Sequence, residues 1–210
     1  MKYMLIKLFL ISLLVFTYVH LILHFTITKE NSIYRLEDVT KENIHNEILN
    51  KVPFYFKGST IQSSLLFSDY KKNKEGYLKM YETIELLEPS VKFFAKHSIL
   101  PFKKYIKLHR NLECRNFYKV SKGNALFICI HPKYKSLFKH SDNVFEMNKD
   151  ILQYIHSNSS FIHVMLPKDT VLFLPNYWLL LIVAKEKCIV EKIQYSTILN
   201  QMCFKLEKYI

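Results

Sequence analysis

The sequence predicts a mainly β domain, a barrel or sandwich of the jelly-roll type with flanking helices, carried behind an N-terminal transmembrane helix. Three observations predict it. From about residue 115 the chain breaks into short apolar runs of strand length with turn residues between them, at 116–120, 126–131, 161–166, 171–174, 178–184 and 188–195. Residues 4–26 (MLIKLFLISLLVFTYVHLILHFT) form an almost unbroken apolar run of 23 residues. The tail places Ile198, Met202, Leu206 and Ile210 at i+4 spacing, the mark of an amphipathic helix.

The elements follow in chain order. A helix rises about 1.5 Å per residue, so a run from Met4 to Phe25 covers the roughly 30 Å hydrocarbon core of a bilayer. Lys7 near one end can snorkel, and His20 and His24 near the other can stay neutral. A cleavable signal peptide, the alternative, would have a shorter apolar core and small residues before the cut. Here the exit reads His24-Phe25-Thr26-Ile27. Lys2 and Lys7 before the run and Lys29, Arg35 and Lys41 after it nearly balance. The short N-terminus ahead of a long C-terminal domain points to a lumenal domain, in which Asn158-Ser159-Ser160 would be a glycosylation acceptor.

Residues 1–27 thus read as the anchor, 28–33 as a polar joint and 34–210 as the domain. In the domain Thr40 is an N-cap for a helix carrying Ile44 and Ile48 on one face. The stretch 52–58 is a strand with a Pro at its start and a Gly at its end. Two helical stretches are expected over 68–100, one around 77–87 and one opening after Pro89. The tail helix would cover the domain's own core or serve self-association.

Composition excludes some classes. The net charge of +12 rests on 27 Lys and only 3 Arg, and Arg is the residue whose planar fork reads phosphates and base edges, so a nucleic-acid partner is not expected. Lys-rich, Asn-rich and Gly-poor usage suits an AT-rich genome, such as that of a large DNA virus or a protist. Cys114, Cys129, Cys188 and Cys203 stand singly, with no CxxC, and read as core thiols; one disulfide is the alternative. There is no GxSxG, P-loop or GxGxxG, and three glycines leave little room for one. Trp178 and Tyr177 read as core filling in preference to a ligand platform.

Two blocks carry a resemblance. Residues 171–182 (VLFLPNYWLLLI) run as an apolar strand to Pro175, turn through Tyr177 to Trp178, and continue as a second apolar strand. Residues 116–132 (NFYKVSKGNALFICIHP) form a strand, a Gly turn and a strand ending in Pro. Both blocks resemble the cupin-like (JmjC-type) oxygenases that use Fe(II) and 2-oxoglutarate, whose fold is a double-stranded β-helix. The resemblance implies a metal-binding His where this chain has Leu180, and a Lys gripping the co-substrate where it has Ala125. Asn116 matches the family's Asn, though it is as easily a turn residue. The family's His-x-Asp/Glu pair aligns with Arg110 and Leu112, or after a one-residue shift with His109 and Asn111. A 2-His-1-carboxylate site needs three anchored donors and open positions for co-substrate and oxygen, which this set does not supply.

The resemblance therefore implies a degenerate pocket of His109, Asn111, Asn116, Ala125, Trp178 and Leu180, with no metal and no cofactor. A relocated metal site among His131, His156, His163 and Asp169 matches no recognised ligand spacing, and a Cys–His pair of Cys114 and His109 lacks an electropositive pocket or orienting residue that the sequence could name. The expectation is a single-pass membrane protein, a pseudoenzyme acting in binding or assembly through a protein partner or a second copy of itself, and a viral-membrane or virion component if the genome is viral. The rival is an active hydroxylase with a non-standard ligand set; a lectin-like carbohydrate- or lipid-binding module is a third class.

Overall fold

In the computed structural model the described residues are 2–58, 87, 94–100, 105–138, 140–141, 144–145, 149–184 and 188–207. Among them four α-helices and twelve strands occur. Helix α1 is Lys2–Phe25 and α2 is Lys41–Asn50; α3, Lys149–Ser157, and α4, Ile198–Glu207, come late in the chain. The strands are β1 Tyr34–Arg35, β2 Phe54–Lys57, β3 Phe94–Ile99, β4 Tyr105–Arg110, β5 Arg115–Lys122, β6 Ala125–Ile130, β7 His140–Ser141, β8 Val144–Phe145, β9 Ile162–Leu166, β10 Thr170–Leu174, β11 Leu179–Ala184 and β12 Ile189–Ser196. A short 3-10 turn, Pro132–Leu137, follows β6.

The strands form two six-stranded sheets, ordered β1-β2-β10-β5-β12-β3 and β7-β8-β4-β11-β6-β9. The chain passes from one sheet to the other between β3 and β4, β4 and β5, β5 and β6, β9 and β10, β10 and β11, and β11 and β12. The two sheets share one core: Tyr118, Val120, Leu172, Leu174 and Val190 of the first meet Ala125, Phe127, Cys129, Leu166, Leu180 and Ile182 of the second. Side chains alternate along a strand, so each sheet must also cover its outer face. On the first sheet Ile44 and Ile48 of α2 pack over Phe54, Phe56, Phe117 and Phe173. On the second, Phe138 and Ile155 of α3 cover Leu108, Ile128, Ile130, Leu179 and Leu181. Each fully buried aliphatic or aromatic side chain of this kind contributes roughly 1.5–3 kcal/mol.

The mainly β class and the late strands match the sequence expectation closely, within one residue at most ends. Thr40 caps α2 as expected, its side chain accepting from the Asn43 N–H at 3.2 Å. Cys129, Cys188 and Cys203 are buried free thiols and Cys114 is half-buried and free. One expectation is corrected. The second helical stretch after Pro89 does not run to residue 100, because 94–99 is strand β3, paired with β12 from Phe94↔Ser196 to Ile99↔Glu191. Pairing at the sheet edge and burial of Ile99 and Leu100 outweigh the local helix signal of one Pro. Apart from Leu87, the stretch 77–87 lies outside the described residues.

The run at the N-terminus forms a helix, and residues Tyr3–Phe25 are long and apolar enough to cross a membrane. Most of its side chains are exposed. Its last turns are not bare. Thr17, His20 and Leu21 are partly covered and His24 is buried, an i, i+3, i+4, i+7 face. The joint that follows is pinned as well: His131 Nε2 lies 2.8 Å from the Thr28 carbonyl, and Asn31 Nδ2 donates to the Ser160 carbonyl at 2.9 Å.

Candidate functional site

The inner face of the first sheet changes character along its strands. Val120, Val190 and Leu100 occupy one end. Towards the other, the register sets Ser98, Lys192, Tyr118 and Leu172 in one row and Gln194, Asn116 and Leu174 in the next, with Lys96 exposed at its edge-strand end. Lys, Gln, Asn and Tyr on an inward face need partners, since a buried polar group without one costs free energy. Asn116 is fully used: its Nδ2 donates to the Glu113 carbonyl at 2.8 Å and the Leu174 carbonyl at 3.3 Å, and its Oδ1 accepts from Gln194 Nε2 at 2.9 Å.

The second sheet contributes His109 and Leu180, which face each other in the β4–β11 ladder. His109 Nε2 lies 3.1 Å from the Tyr118 hydroxyl, and its Nδ1 lies 3.0 Å from the Lys107 carbonyl. The Tyr118 hydroxyl in turn donates to Asn111 Oδ1. Asn111 is tied to the turn after β10: its Nδ2 and its backbone N–H donate to the Trp178 carbonyl at 3.1 and 3.0 Å, and its carbonyl accepts from the Tyr177 N–H at 2.6 Å. Burial first, and the Lys192 charge second, hold the His109 imidazole down to about 3, against the pull of the Lys107 carbonyl. A neutral ring has one N–H, so it serves either Lys107 or Tyr118 and the chain of bonds is one proton short.

Lys192 lies over the Tyr118 ring, its Nζ 5.5 Å from the centroid. Burial lowers its ammonium to about 8; Glu113 opposes that shift and Lys96 adds to it. Neither Lys192 nor Tyr118 nor Gln194 stands out in the sequence as a site residue. The signal that could have found Lys192 is its place in an apolar strand, two residues from Val190 on the same side.

The structure brings His109, Asn111, Trp178 and Leu180 together around Tyr118. Trp178 and Leu180 are fully buried in the shared core and fill the interior there. Ala125 is on the same inner face one strand from Leu180, but four positions along β6 from Leu180's partner Cys129, and it pairs with Ala184. Asn116 sits in the polar row beside Gln194, its amide spent on backbone. A metal at this place would have the His109 imidazole and the Asn111 amide oxygen, both already engaged, with an aliphatic side chain opposite. That donor set does not fit Fe(II) in a three-donor site.

The other candidates are dispersed. Among the described residues no three His, Cys, Asp or Glu side chains gather as a metal site would need. The His156 and His163 rings lie 6.1 Å apart, His131 packs edge-on against Trp178 at 5.1 Å, and Asp169 serves a turn at φ 63°. Cys114 donates its thiol to the Tyr195 carbonyl at 2.9 Å, and burial pushes it up to about 11, away from a thiolate nucleophile.

A second cluster joins this region to α1 through the same turn. Tyr177 adopts φ 71°, a left-handed backbone that costs a bulky residue about 1–2 kcal/mol. That geometry sends its N–H to Asn111 and its hydroxyl to His24 Nε2 at 2.7 Å. Asn176 Nδ2 donates to the His24 carbonyl at 2.8 Å. Asn200 Nδ2 meets His24 Nδ1 at 2.6 Å, with its Oδ1 turned to Thr197. Lys51, the left-handed residue ending α2, donates to the carbonyls of Leu23, His24 and Thr26, capping the open end of α1. None of these roles was visible from spacing.

No protein-family model matches this chain, and no curated protein matches it.

Proposed function

We propose that the chain is a membrane-anchored domain of the cupin-like oxygenase fold that has lost its chemistry and works by binding or assembly. The observation that carries this reading is the interior at His109: an aliphatic Leu180 across the ladder, an engaged amide at Asn111 and Tyr118 closing the gap between them. The sheet orders β3-β12-β5-β10 and β4-β11-β6-β9, with the chain crossing between them, are what a double-stranded β-helix requires and support the fold half of the reading. With fold alone, function would remain open.

The anchor half rests on Tyr3–Phe25 and on how its end is held. A signal peptide is removed, yet here Lys51, Asn176, Tyr177 and Asn200 all spend hydrogen bonds on residues 23–26. Such a clamp is of use to a chain that keeps its helix. It seats the domain against the membrane in one orientation, which suits a component that links a bilayer to a protein shell or partner, in a viral membrane if the genome is viral.

The test is turnover. The full chain in lipid nanodiscs is given Fe(II), 2-oxoglutarate, ascorbate and oxygen, and succinate is followed. No succinate above that of empty nanodiscs is expected; sustained formation would establish the rival, an active hydroxylase with a non-standard ligand set.

A further inference from the structure

The sequence expectation for the tail helix was an apolar row turned either to the domain's core or to a second copy. The structure turns the first two members of that row outward. Ile198 and Met202 are 49% and 56% exposed, whereas Asn200 and Cys203 are 3% and 1% exposed and face inward. At 100° per residue Ile198 and Met202 lie about 40° apart on one side of α4, and Asn200 and Cys203 lie on the other. The physical reason is Asn200. Its amide is held by Thr197 and spent on His24, and this fixes which side of α4 is buried. In the sequence the row continues at Leu206 and Ile210.

Single exposed apolar residues need no explanation. The position of these two supplies one. Helix α4 packs against α1, and its first turn grips α1 at His24. The partly covered face of α1, from Thr17 to His24, spans its last two turns, while Val19, Ile22 and Leu23 of the same turns are 47%, 48% and 58% exposed. A helix of 24 residues is about 36 Å long, so its final turn or so lies beyond a roughly 30 Å hydrocarbon core, at headgroup depth. An element clipped to that turn is at the same depth. A helix with Ile198 and Met202 turned outward at that depth has the make-up of one lying in the interface.

We infer that α4 is a second membrane contact, its Ile198–Met202 row lying in the interfacial layer of the bilayer that α1 crosses. The occupant of the row is lipid; this rests on the reading of α1 as an anchor. The two helices together would hold the domain at two points, which fixes rotation about the α1 axis as well as height.

The experiment uses the full chain with Cys114→Ser in phosphatidylcholine vesicles; the remaining thiols, Cys129, Cys188 and Cys203, are buried. Single Ile198→Cys and Met202→Cys variants carry an environment-sensitive fluorophore, with Phe9→Cys on α1 as the anchor control and Met165→Cys on β9 as the solvent control. Lipids bearing nitroxides at shallow depth are expected to quench positions 198 and 202 severalfold more than position 165, and deep nitroxides to quench position 9. Quenching at 9 with 198 and 202 behaving like 165 overturns the inference alone. No quenching at 9 overturns the anchor reading and the inference with it. Cross-linking between two copies at position 202 without lipid quenching assigns the row to a second copy and overturns the inference too.

Discussion

Leu180 and His109 stand opposite one another across the β4–β11 ladder, and Leu180 is fully buried. One imidazole faces one isobutyl group where an iron site would need two donors and a carboxylate. The pairing explains why the interior closes: Leu180 packs with Tyr118 and Trp178, and Tyr118 takes up the His109 nitrogen that would otherwise face a ligand.

Placing at position 180 the histidine that the resemblance implies should therefore be costly. Leu180→His removes buried aliphatic volume and places a polar ring among Tyr118, Phe127 and Trp178. A loss of about 2–4 kcal/mol is expected, read by chemical denaturation, with no stoichiometric iron gained. Neutral stability would mean that the interior is roomier than described.

His109 should make stability fall in mild acid. Its imidazole is held down at about 3 in the folded chain against 6.5 ordinarily. Its contribution is complete above 6.5 and is lost as pH falls through that window, because the unfolded chain binds the proton first. From pH 7 to 5 the loss from this one group is about 2 kcal/mol. His109→Gln should show a correspondingly flatter profile over that range; an unchanged slope would place the acid sensitivity elsewhere.

Lys192 carries the opposite lesson, a cation that burdens the fold at neutral pH. Its folded value of about 8 lies below the ordinary 10.5, so its contribution is favourable above 10.5 and is lost as pH falls through 8. Lys192→Met should stabilise the chain at pH 7 by about 1–3 kcal/mol, with the gap closing in alkali. A destabilised variant would show that the Tyr118 contact outweighs desolvation.

Much of this architecture was legible in the sequence. Most of the late strands announced themselves because they are buried on both faces and bounded by turn residues, as at Leu174 and Leu179 on either side of the Pro175 turn; β9, exposed on one face, is the exception. Strand β3 was not legible, because 94–99 owes its extended form to β12, about a hundred residues away. The apolar row of α4 was legible as a row, but its direction was not. Asn200 and His24 decide that, and a hydrogen bond across 176 positions leaves no periodic trace. The same holds for Lys51, an ordinary lysine until its three carbonyl partners are in place.

The clamp on α1 should be breakable without unfolding the domain. Lys51→Met removes the cap on the carbonyls of Leu23, His24 and Thr26, and Tyr177→Phe removes the hydroxyl on His24. In nanodiscs the double variant should be cut severalfold faster than the parent by a protease acting between residues 26 and 33, at unchanged domain stability. Equal cutting rates would show that the joint is held by His131 and Asn31 alone.

The proposal of a membrane-held domain of the cupin-like fold that holds no iron is tested most directly by metal stoichiometry. The full chain in nanodiscs is equilibrated with Fe(II) under anaerobic conditions, with and without 2-oxoglutarate, and bound iron and visible absorbance are measured after desalting. The account predicts far less than one iron per chain and no co-substrate-dependent charge-transfer band. One iron per chain, with a band that appears on adding 2-oxoglutarate, would contradict it.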